Sequence, residues 1–233
     1  MIDRLTPHVL LCALIMTIGL ATSAWSSAPP AADPLTQVRQ GVSDVIAVFH
    51  ADQMPLAERR EKLRILAARY FDFADMARSA LGYHWRTLSQ AQREQFVPIF
   101  TAFIQDAYLS KLQDYTVSKV QEEAKTATIT FTREQFDGPD YAEVSSSVVL
   151  RDQQDPLTID YLMHRSGGVW RIYDLTVDAI SVIANYRNQF RRVIDNDGYD
   201  SLVVQLKAKQ EQLRQYMEQP PQSGDAAGKS GQK

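Results

Sequence analysis

Apolar residues in the first half of the chain recur every three or four positions, which is the pattern of amphipathic helices. The pattern begins after Asp33 and Pro34, a pair suited to a helix cap and the first helical position. Met54 and Pro55 interrupt it, and Gly82 is placed to end it. Three helices are predicted on this basis, over Leu35 to Asp52, Leu56 to Tyr70 and Phe73 to Leu81.

A fourth, longer helix is predicted from Ser89 to about Asp114. Ser89 and Gln92 have the spacing of a capping box, in which each side chain satisfies a free backbone N–H of the other. Pro98 lies inside the helical pattern, and proline removes one backbone hydrogen bond from a helix interior. Either the helix bends at Pro98 or it begins later than Ser89; the sequence leaves both open.

Beyond Tyr115 the apolar residues alternate with polar ones, which predicts β-strands. Ser166-Gly167-Gly168 favours a tight hairpin, because glycine adopts positive φ without steric cost. Short strands joined by tight turns form antiparallel sheets. The predicted strands are Thr126 to Thr132, Tyr141 to Arg151, Leu157 to Arg165 and Val169 to Asp178.

Helical spacing returns over Ile180 to Ile194 and over Ser201 to about Met217. Asp195-Asn196-Asp197-Gly198 superficially resembles the start of a calcium loop, but the later ligands do not fit. We interpret Gly198 as a helix stop and Asp200 as the cap of the last helix. Helices, then strands, then helices indicate an α+β fold. A single domain is expected over 33–217.

The sequence predicts that both ends of the chain lie outside that domain. Val9 to Leu20 is an apolar run that follows Arg4 and precedes small residues, the order of a secretory signal peptide. The run is too short to cross a bilayer, which takes about 20 residues. We expect a signal peptide over 1–24, cleaved near Ala24, and a disordered tail over 218–233, rich in Pro, Gly, Ser and Gln.

Composition removes several classes of function. The net charge of −3, with 23% charged residues, gives no reason to expect nucleic-acid binding. The one cysteine, Cys12, lies in the signal peptide, so the mature protein has no thiol for catalysis. No HExxH, GxSxG, P-loop or GxGxxG motif occurs. We therefore predict no metal site and no cofactor, and the absence of disulfides in an exported chain of this length fits a bacterial periplasm.

One enzymatic alternative remains open at this point. A curved sheet backed by helices can form a cone that holds an acid and a tyrosine in an apolar pocket, as in ketosteroid isomerases. Adjacent predicted strands could supply such groups, namely Asp160, Tyr161, His164, Tyr173 and Asp174. The other interpretation is that Asp160 and Asp174 pair with Arg165 or Arg171 on the sheet. Strand parity also separates Asp160 and His164 from Tyr161.

Three segments carry a resemblance to a known family. Phe71 to Arg78 reads FDFADMAR, Gly168 to Asp174 reads GVWRIYD, and Ile180 to Phe190 reads ISVIANYRNQF. In this order they resemble the MlaC family, also called the toluene-tolerance family of ABC-transporter auxiliary proteins. The resemblance extends over about 33 to 210. Ala179 stands where the family commonly has a small residue, often glycine.

The resemblance implies a fold and a function. Its fold has N- and C-terminal helices packed on one antiparallel, curved sheet of four to five strands that encloses an apolar cavity. Its members are monomeric, non-enzymatic periplasmic carriers that hold phospholipid by the acyl chains. They exchange it with an inner-membrane ABC lipid transporter, through its substrate-binding hexamer, and with an outer-membrane lipoprotein–porin complex, and so maintain outer-membrane asymmetry. A polycyclic, hopanoid-type lipid is the alternative cargo.

Helix faces and strand parity select the residues expected to line such a cavity and bind lipid, although the same pattern fits an ordinary core. They are Met76, Leu81, Phe96, Phe100, Phe103, Val148, Leu150, Ile159, Tyr161, Met163, Trp170, Ile172, Val182 and Ile183. Arg78, Arg187 and Arg191 are candidates to meet the membrane complexes or the lipid phosphate; a solvated helix face is the other interpretation of each.

Overall fold

The computed structural model of the protein describes residues 33–51, 53–113, 126–150 and 155–219. The expected signal peptide, over 1–24, lies outside the described residues, as do Asp52, Asp114, Arg151 and most of the expected tail. Glu218, assigned to that tail, still belongs to the last helix.

Seven α-helices and a five-stranded sheet make up the described part of the chain. The helices are α1 Pro34–His50, α2 Leu56–Tyr70, α3 Phe73–Leu81, α4 His84–Thr87, α5 Gln90–Leu109, α6 Val182–Asp197 and α7 Tyr199–Glu218. A 3₁₀ turn, Ser110–Gln113, extends α5. The strands are β1 Thr128–Asp137, β2 Tyr141–Val149, β3 Leu157–Ser166, β4 Val169–Val177 and β5 Ile180–Ser181. The predicted α+β class with helices on one antiparallel sheet is confirmed.

The sheet follows chain order, β1-β2-β3-β4-β5, and every neighbouring pair is antiparallel. Tight turns therefore connect all the strands except β2 and β3, whose connection includes residues outside the described part. At the free edge of β4, Phe71 forms an isolated parallel bridge with Ile172. The N–H of Asp72 donates to the carbonyl of Ile172 at 2.8 Å, so the α2–α3 junction is fastened to the sheet.

The structure shows that helix α5 does not begin later than predicted, although Pro98 lies within it. The capping box of Ser89 and Gln92 is present, and the helix begins at Gln90. It continues through Pro98, which is exposed. Water can therefore reach the carbonyl of Glu94, four residues earlier, which loses its helical donor to the proline ring.

The start of the C-terminal helical region differs from its prediction. Ile180 and Ser181 pair with β4 as strand β5, and α6 begins only at Val182. The turn between β4 and β5 consists of Asp178 and Ala179, both at positive φ (47° and 63°). This region favours glycine, which explains why a small residue is suited to position 179.

Other boundaries shift by a few residues. Strand β1 runs to Asp137, beyond the predicted end at Thr132, and the short helix α4 has no predicted counterpart. Helix α7 begins at Tyr199 with Gly198 at its cap. Asp200 therefore lies in the first turn, where a carboxylate favours the helix dipole, and it is not the cap.

One carboxylate joins the sheet to α6. Asp174 of β4 accepts hydrogen bonds from the backbone N–H of Ile183 (3.0 Å) and of Leu175 (2.8 Å). Its second oxygen accepts from Ser181 Oγ at 2.5 Å. Ser181 in turn caps α6 by accepting from the N–H of Ala184. The first turn of α6 is thereby held against β4.

The buried apolar side chains form two clusters. The first lies between the sheet and helices α1 and α2 and includes Val42, Phe49, Val144 and Ile159. The second fills the bundle of α3, α5, α6 and α7. The bundle is rich in aromatic contacts: Phe96, Phe100, Phe103, Tyr186 and Phe190 stack or meet edge to face with ring centroids about 6 Å apart.

Replacement of Asp174 by alanine is expected to lower the free energy of unfolding by about 2 kcal/mol, because it removes the acceptor for a buried N–H and part of a helix cap. Urea denaturation measures the change. Asp160→Ala on β3 is the matched control, because no hydrogen bond to Asp160 is seen in the described structure, and should cost well under 1 kcal/mol. Equal losses in the two variants would contradict the assigned role of Asp174.

Candidate functional site

An apolar cavity of about 230 Å³ lies between the sheet and the helices. Its wall is built from the inward faces of α1, α2 and α5 and from β3 and β4, with two residues each from α3 and the 3₁₀ turn and one from α6. Its apolar and aromatic lining comprises Val38, Gly41, Val42, Val45, Leu63, Leu66, Ala67, Tyr70, Phe71, Phe73, Met76, Ile104, Tyr108, Leu109, Leu112, Ile159, Tyr161, Met163, Ile172, Leu175, Val177 and Val182.

A bulge in β4 determines which of its side chains reach the cavity. Leu162 pairs with Asp174 while its neighbour Met163 pairs with Ile172, so Tyr173 is the extra residue. A bulge shifts the alternation of faces by one position. Ile172 therefore shares a face with Leu175 and Val177, and Asp174 points away from the cavity towards α6.

The wall carries charge of only one sign. Its polar members are Gln37, Arg64, Gln105 and Lys111, all half-buried. Among the described residues that line the cavity, Arg64 and Lys111 are the charged ones and no carboxylate is present. Because these four are partly exposed, we place them where the cavity wall meets solvent.

Arg64 is held in position by a buried carboxylate behind it. Its Nη2 lies 2.9 Å from Oδ1 of Asp106, and its Nη1 donates to Gln105 at 3.3 Å. The other oxygen of Asp106, Oδ2, accepts from Gln210 of α7 at 3.1 Å. These contacts tie α2, α5 and α7 together. Lys111 has no ion pair among the described residues.

Tyr70 is a wall residue whose hydroxyl is satisfied from outside the cavity. It donates to Oδ2 of Asp44 at 2.6 Å. Burial, followed by the bond to Asp44, raises the pKa of Tyr70 to about 12. The ring packs on Gly41 of α1, where an added Cβ would lie 3.1 Å from the ring carbons. Glycine at this position lets α1 approach α2 closely.

The structure divides the predicted lipid-binding residues between the cavity and the surrounding core. The cavity is lined by Met76, Ile159, Tyr161, Met163, Ile172 and Val182. The remaining residues are buried but are not part of this wall: Leu81, Phe96, Phe100, Phe103 and Ile183 belong to the bundle cluster, and Val148, Leu150 and Trp170 to the sheet cluster. The role of each in binding lipid stays a prediction.

None of the predicted arginines lines the cavity. Arg78 pairs with Asp75 on its own helix. Arg187 donates from Nε to the carbonyl of Ser79 at 2.6 Å, and its methylenes pack beside Gly82. Arg191 is exposed on α6. The cations at the cavity are instead Arg64 and Lys111, which periodicity did not distinguish from ordinary helix-surface residues.

The residues of the enzymatic alternative do not meet in the cavity. Of them only Tyr161 lines it. His164 Nε2 lies 2.9 Å from Asp72 Oδ2 at the α2–α3 junction. Asp174 accepts from the first turn of α6 and pairs with none of the described arginines, while Arg165 binds Asp140.

The lining residues of α1, Val38, Val42 and Val45, were not among the predicted site residues. Their spacing had identified an inward helix face, which was the available signal, but it does not say whether that face meets other side chains or an empty space. Within the described ranges no group of three or more His, Cys, Asp or Glu residues could hold a metal ion. No helix in the described ranges is long and apolar enough to span a membrane.

Comparison with known proteins gives a consistent result. The family model described as MlaC protein matches residues 39–208. The intermembrane phospholipid transport system binding protein MlaC of Haemophilus influenzae is 19% identical over 181 residues, covering 75% of this chain and 80% of that protein. A phospholipid-binding protein of Ralstonia solanacearum, solved in complex with a phospholipid, superposes with a TM-score of 0.64 at 22% identity, covering 78% of this chain and 99% of the other. The resemblance seen in the three sequence segments is thereby confirmed.

Tyr70 makes stability sensitive to alkaline pH. Its pKa is near 10 in the unfolded chain and about 12 in the folded protein. The stabilisation is complete below pH 10 and is lost as pH rises towards 12, because only the unfolded chain releases the proton. We expect Tyr70→Phe to lower the free energy of unfolding by about 1 kcal/mol at pH 7, because the bond to Asp44 is lost. At alkaline pH the free energy of unfolding of this variant should fall less steeply with pH than that of wild type, by a slope equivalent to up to about one proton. Unfolding measured from pH 9 to 11.5 checks this; an unchanged slope would contradict it.

Proposed function

The chain belongs to the MlaC family, and from that membership and the apolar cavity we propose that it carries a phospholipid by its acyl chains through the periplasm. The observation that carries the proposal is a cavity with an apolar wall whose charged members, among the described residues, are both cations. Such a site suits a ligand with hydrocarbon chains and an anionic group at one end. No catalytic step belongs to this proposal.

The energetics of carriage require an enclosed apolar site. Each methylene transferred from water contributes about 0.8 kcal/mol, so leaving two acyl chains exposed to water would cost roughly 20 kcal/mol. A carrier that left the chains in water would not compete with a membrane. The cavity between α1, α2 and the sheet supplies apolar surface of the required kind.

The cavity has to widen when lipid enters. An engineered cavity of about 150 Å³ holds benzene, and a volume of about 230 Å³ is not much larger. Two acyl chains therefore need α1 and the N-terminal part of α2 to move away from the sheet, since the α2–α3 junction is fastened to β4. Among the described residues the contacts of α1 with the sheet are mainly apolar side chains, and the hydrogen bond from Leu35 N to Glu134 at 2.9 Å is exposed. Lipid chains can replace apolar contacts without leaving buried polar groups unpaired.

The headgroup phosphate is assigned to the solvent-facing part of the wall, beside Lys111 and Arg64. Lys111 lacks a competing ion pair in the described structure, and Arg64 is preorganised by Asp106. Partly exposed cations give modest attraction, of about 1 kcal/mol or less per pair. A weak hold on the headgroup fits a carrier, because the lipid must also be released.

We extend the role in the relative's name to this chain, so that it exchanges lipid with membrane complexes on both sides of the periplasm. The expected partners are an inner-membrane ABC lipid transporter with its substrate-binding hexamer and an outer-membrane lipoprotein–porin complex. Incubation of lipid-loaded protein with each complex in nanodiscs would test this: transfer of labelled phospholipid to or from neither complex would overturn the assignment of partners.

Filling the cavity is expected to exclude lipid. Ala67 lines the cavity from α2, whereas Ala68, the next residue, is exposed. We expect Ala67→Trp to lower the phospholipid that co-purifies with the protein by at least about tenfold, because the indole occupies the space of the chains. Ala68→Trp, the same change on the opposite face, should retain the wild-type content. Lipid extraction and mass spectrometry provide the measurement.

Circular dichroism has to show that both variants are folded. If the two variants contain the same amount of co-purified lipid, the cavity is not the binding site. A wild-type protein that yields no lipid would overturn the proposed function, and recovery of a polycyclic lipid in place of phospholipid would favour the hopanoid-type cargo.

Reversal of the charge at Lys111 is expected to change headgroup preference. Lys111→Glu should weaken the binding of anionic phosphatidylglycerol by about fivefold, or about 1 kcal/mol, and that of zwitterionic phosphatidylethanolamine less. The difference should shrink in high salt. Lys207→Glu on the exposed face of α7 is the matched control and should leave both affinities unchanged. Equal effects of the two variants would show that Lys111 does not face the headgroup.

A further inference from the structure

A buried hydroxyl in the cavity wall has no partner. Tyr108 of α5 lines the cavity, and its Oη is inaccessible to solvent and has no hydrogen-bond partner among the described residues. Two other tyrosines show how such a hydroxyl is satisfied: Tyr70 donates to Asp44, and Tyr199 donates to the carbonyl of Gln92 at 3.0 Å.

Among the described residues no acceptor lies within hydrogen-bonding distance of the Tyr108 hydroxyl. The nearby carboxylate of Asp174 is already held by Ser181 Oγ and by the N–H groups of Leu175 and Ile183. Burial first, and then the neighbouring Tyr186 and Asp174, raise the pKa of Tyr108 well above its usual value. The hydroxyl is thus protonated at every physiological pH and is available as a donor.

An unpaired buried hydroxyl destabilises a protein, since it loses water without gaining a partner. Phenylalanine would fill the same space without the cost. The hydroxyl is therefore matched to a ligand atom that accepts a hydrogen bond.

The position of Tyr108 indicates which part of a lipid it meets. It lies three residues from Gln105 and three from Lys111, so the three side chains stand one above another along α5 and its 3₁₀ extension. Gln105 and Lys111 belong to the polar part of the wall. In a phospholipid the ester groups lie between the phosphate and the chains, and their carbonyls are the acceptors that first enter an apolar site.

We propose that Tyr108 donates its hydroxyl hydrogen bond to an ester carbonyl of the bound phospholipid and so selects ester-linked chains. This inference rests on the proposed function, and it adds one specific neutral contact to a site that otherwise meets the hydrocarbon chains and the phosphate. One neutral hydrogen bond discriminates between a ligand that accepts it and one that does not by about threefold to tenfold. That is enough for a preference and too little to prevent release.

The experiment compares two lipids on three proteins. The probes are phosphatidylglycerol with two ester-linked oleoyl chains and its diether analogue, in which CH₂ replaces each carbonyl. Wild type should bind the diester about threefold to tenfold more tightly than the diether. Tyr108→Phe should lose this preference by weakening diester binding while binding the diether at least as well. Tyr199→Phe, which removes a hydroxyl bonded to the carbonyl of Gln92 outside the cavity wall, should keep the wild-type preference.

Stability separates folding from recognition. The lipid-free Tyr108→Phe protein should have a melting temperature no lower than that of wild type, because it removes an unpaired buried hydroxyl. Equal wild-type affinity for the two lipids, or an equal loss for both lipids in Tyr108→Phe, would overturn the role of Tyr108 and leave the carrier function standing. Failure of wild type to bind either lipid would overturn the carrier function itself.

Discussion

The carboxylate of Asp174 is the contact on which the arrangement of the two halves depends. It accepts hydrogen bonds from Ser181 Oγ and from the N–H of Ile183, at the first turn of α6. This turn is where the sheet ends and the helical bundle begins. A bulge at Tyr173 directs Asp174 towards α6, and it leaves Ile172 and Leu175 facing the cavity. One inserted residue therefore both anchors the bundle and shapes the wall.

The two apolar clusters have different characters, and the cavity lies where they meet. Interlocking aromatic rings such as Phe96, Phe100 and Phe190 fill the bundle. Dense packing of this kind resists rearrangement. The opposite wall, on α1 and α2, presents mainly aliphatic side chains to the sheet. Phe71 and Leu175 touch both clusters. A firm bundle with an aliphatic pair of helices beside it is the geometry that a cavity needs in order to widen on one side.

Polar groups of the wall are few, and contacts within the protein hold two of them in place. Asp106 forms an ion pair with Arg64, which fixes the orientation of the guanidinium in the cavity wall. Asp44 of α1 accepts the hydrogen bond of the Tyr70 hydroxyl. In the proposed carrier, Lys111 meets the anionic group of the ligand and Tyr108 its neutral acceptor. A carrier built this way holds a lipid mostly by area, with its polar contacts weak enough for exchange.

Local sequence determined the elements and the family. Helical spacing, the Ser89–Gln92 capping box and the alternation of β2, β3 and β4 reflect forces between residues close in the chain, and they predicted the α+β fold. Three short segments indicated the family. Periodicity identified the inward faces of the elements, but it could not tell whether a face meets packed side chains or a cavity. Phe100 in the filled bundle and Ile159 at the cavity both lie at regularly spaced apolar positions. Only the tertiary structure decided which buried side chains line a cavity and which fill a core. The cavity exists because the side chains of two packed units do not interdigitate there, and because a bulge shifts the faces of a strand by one residue.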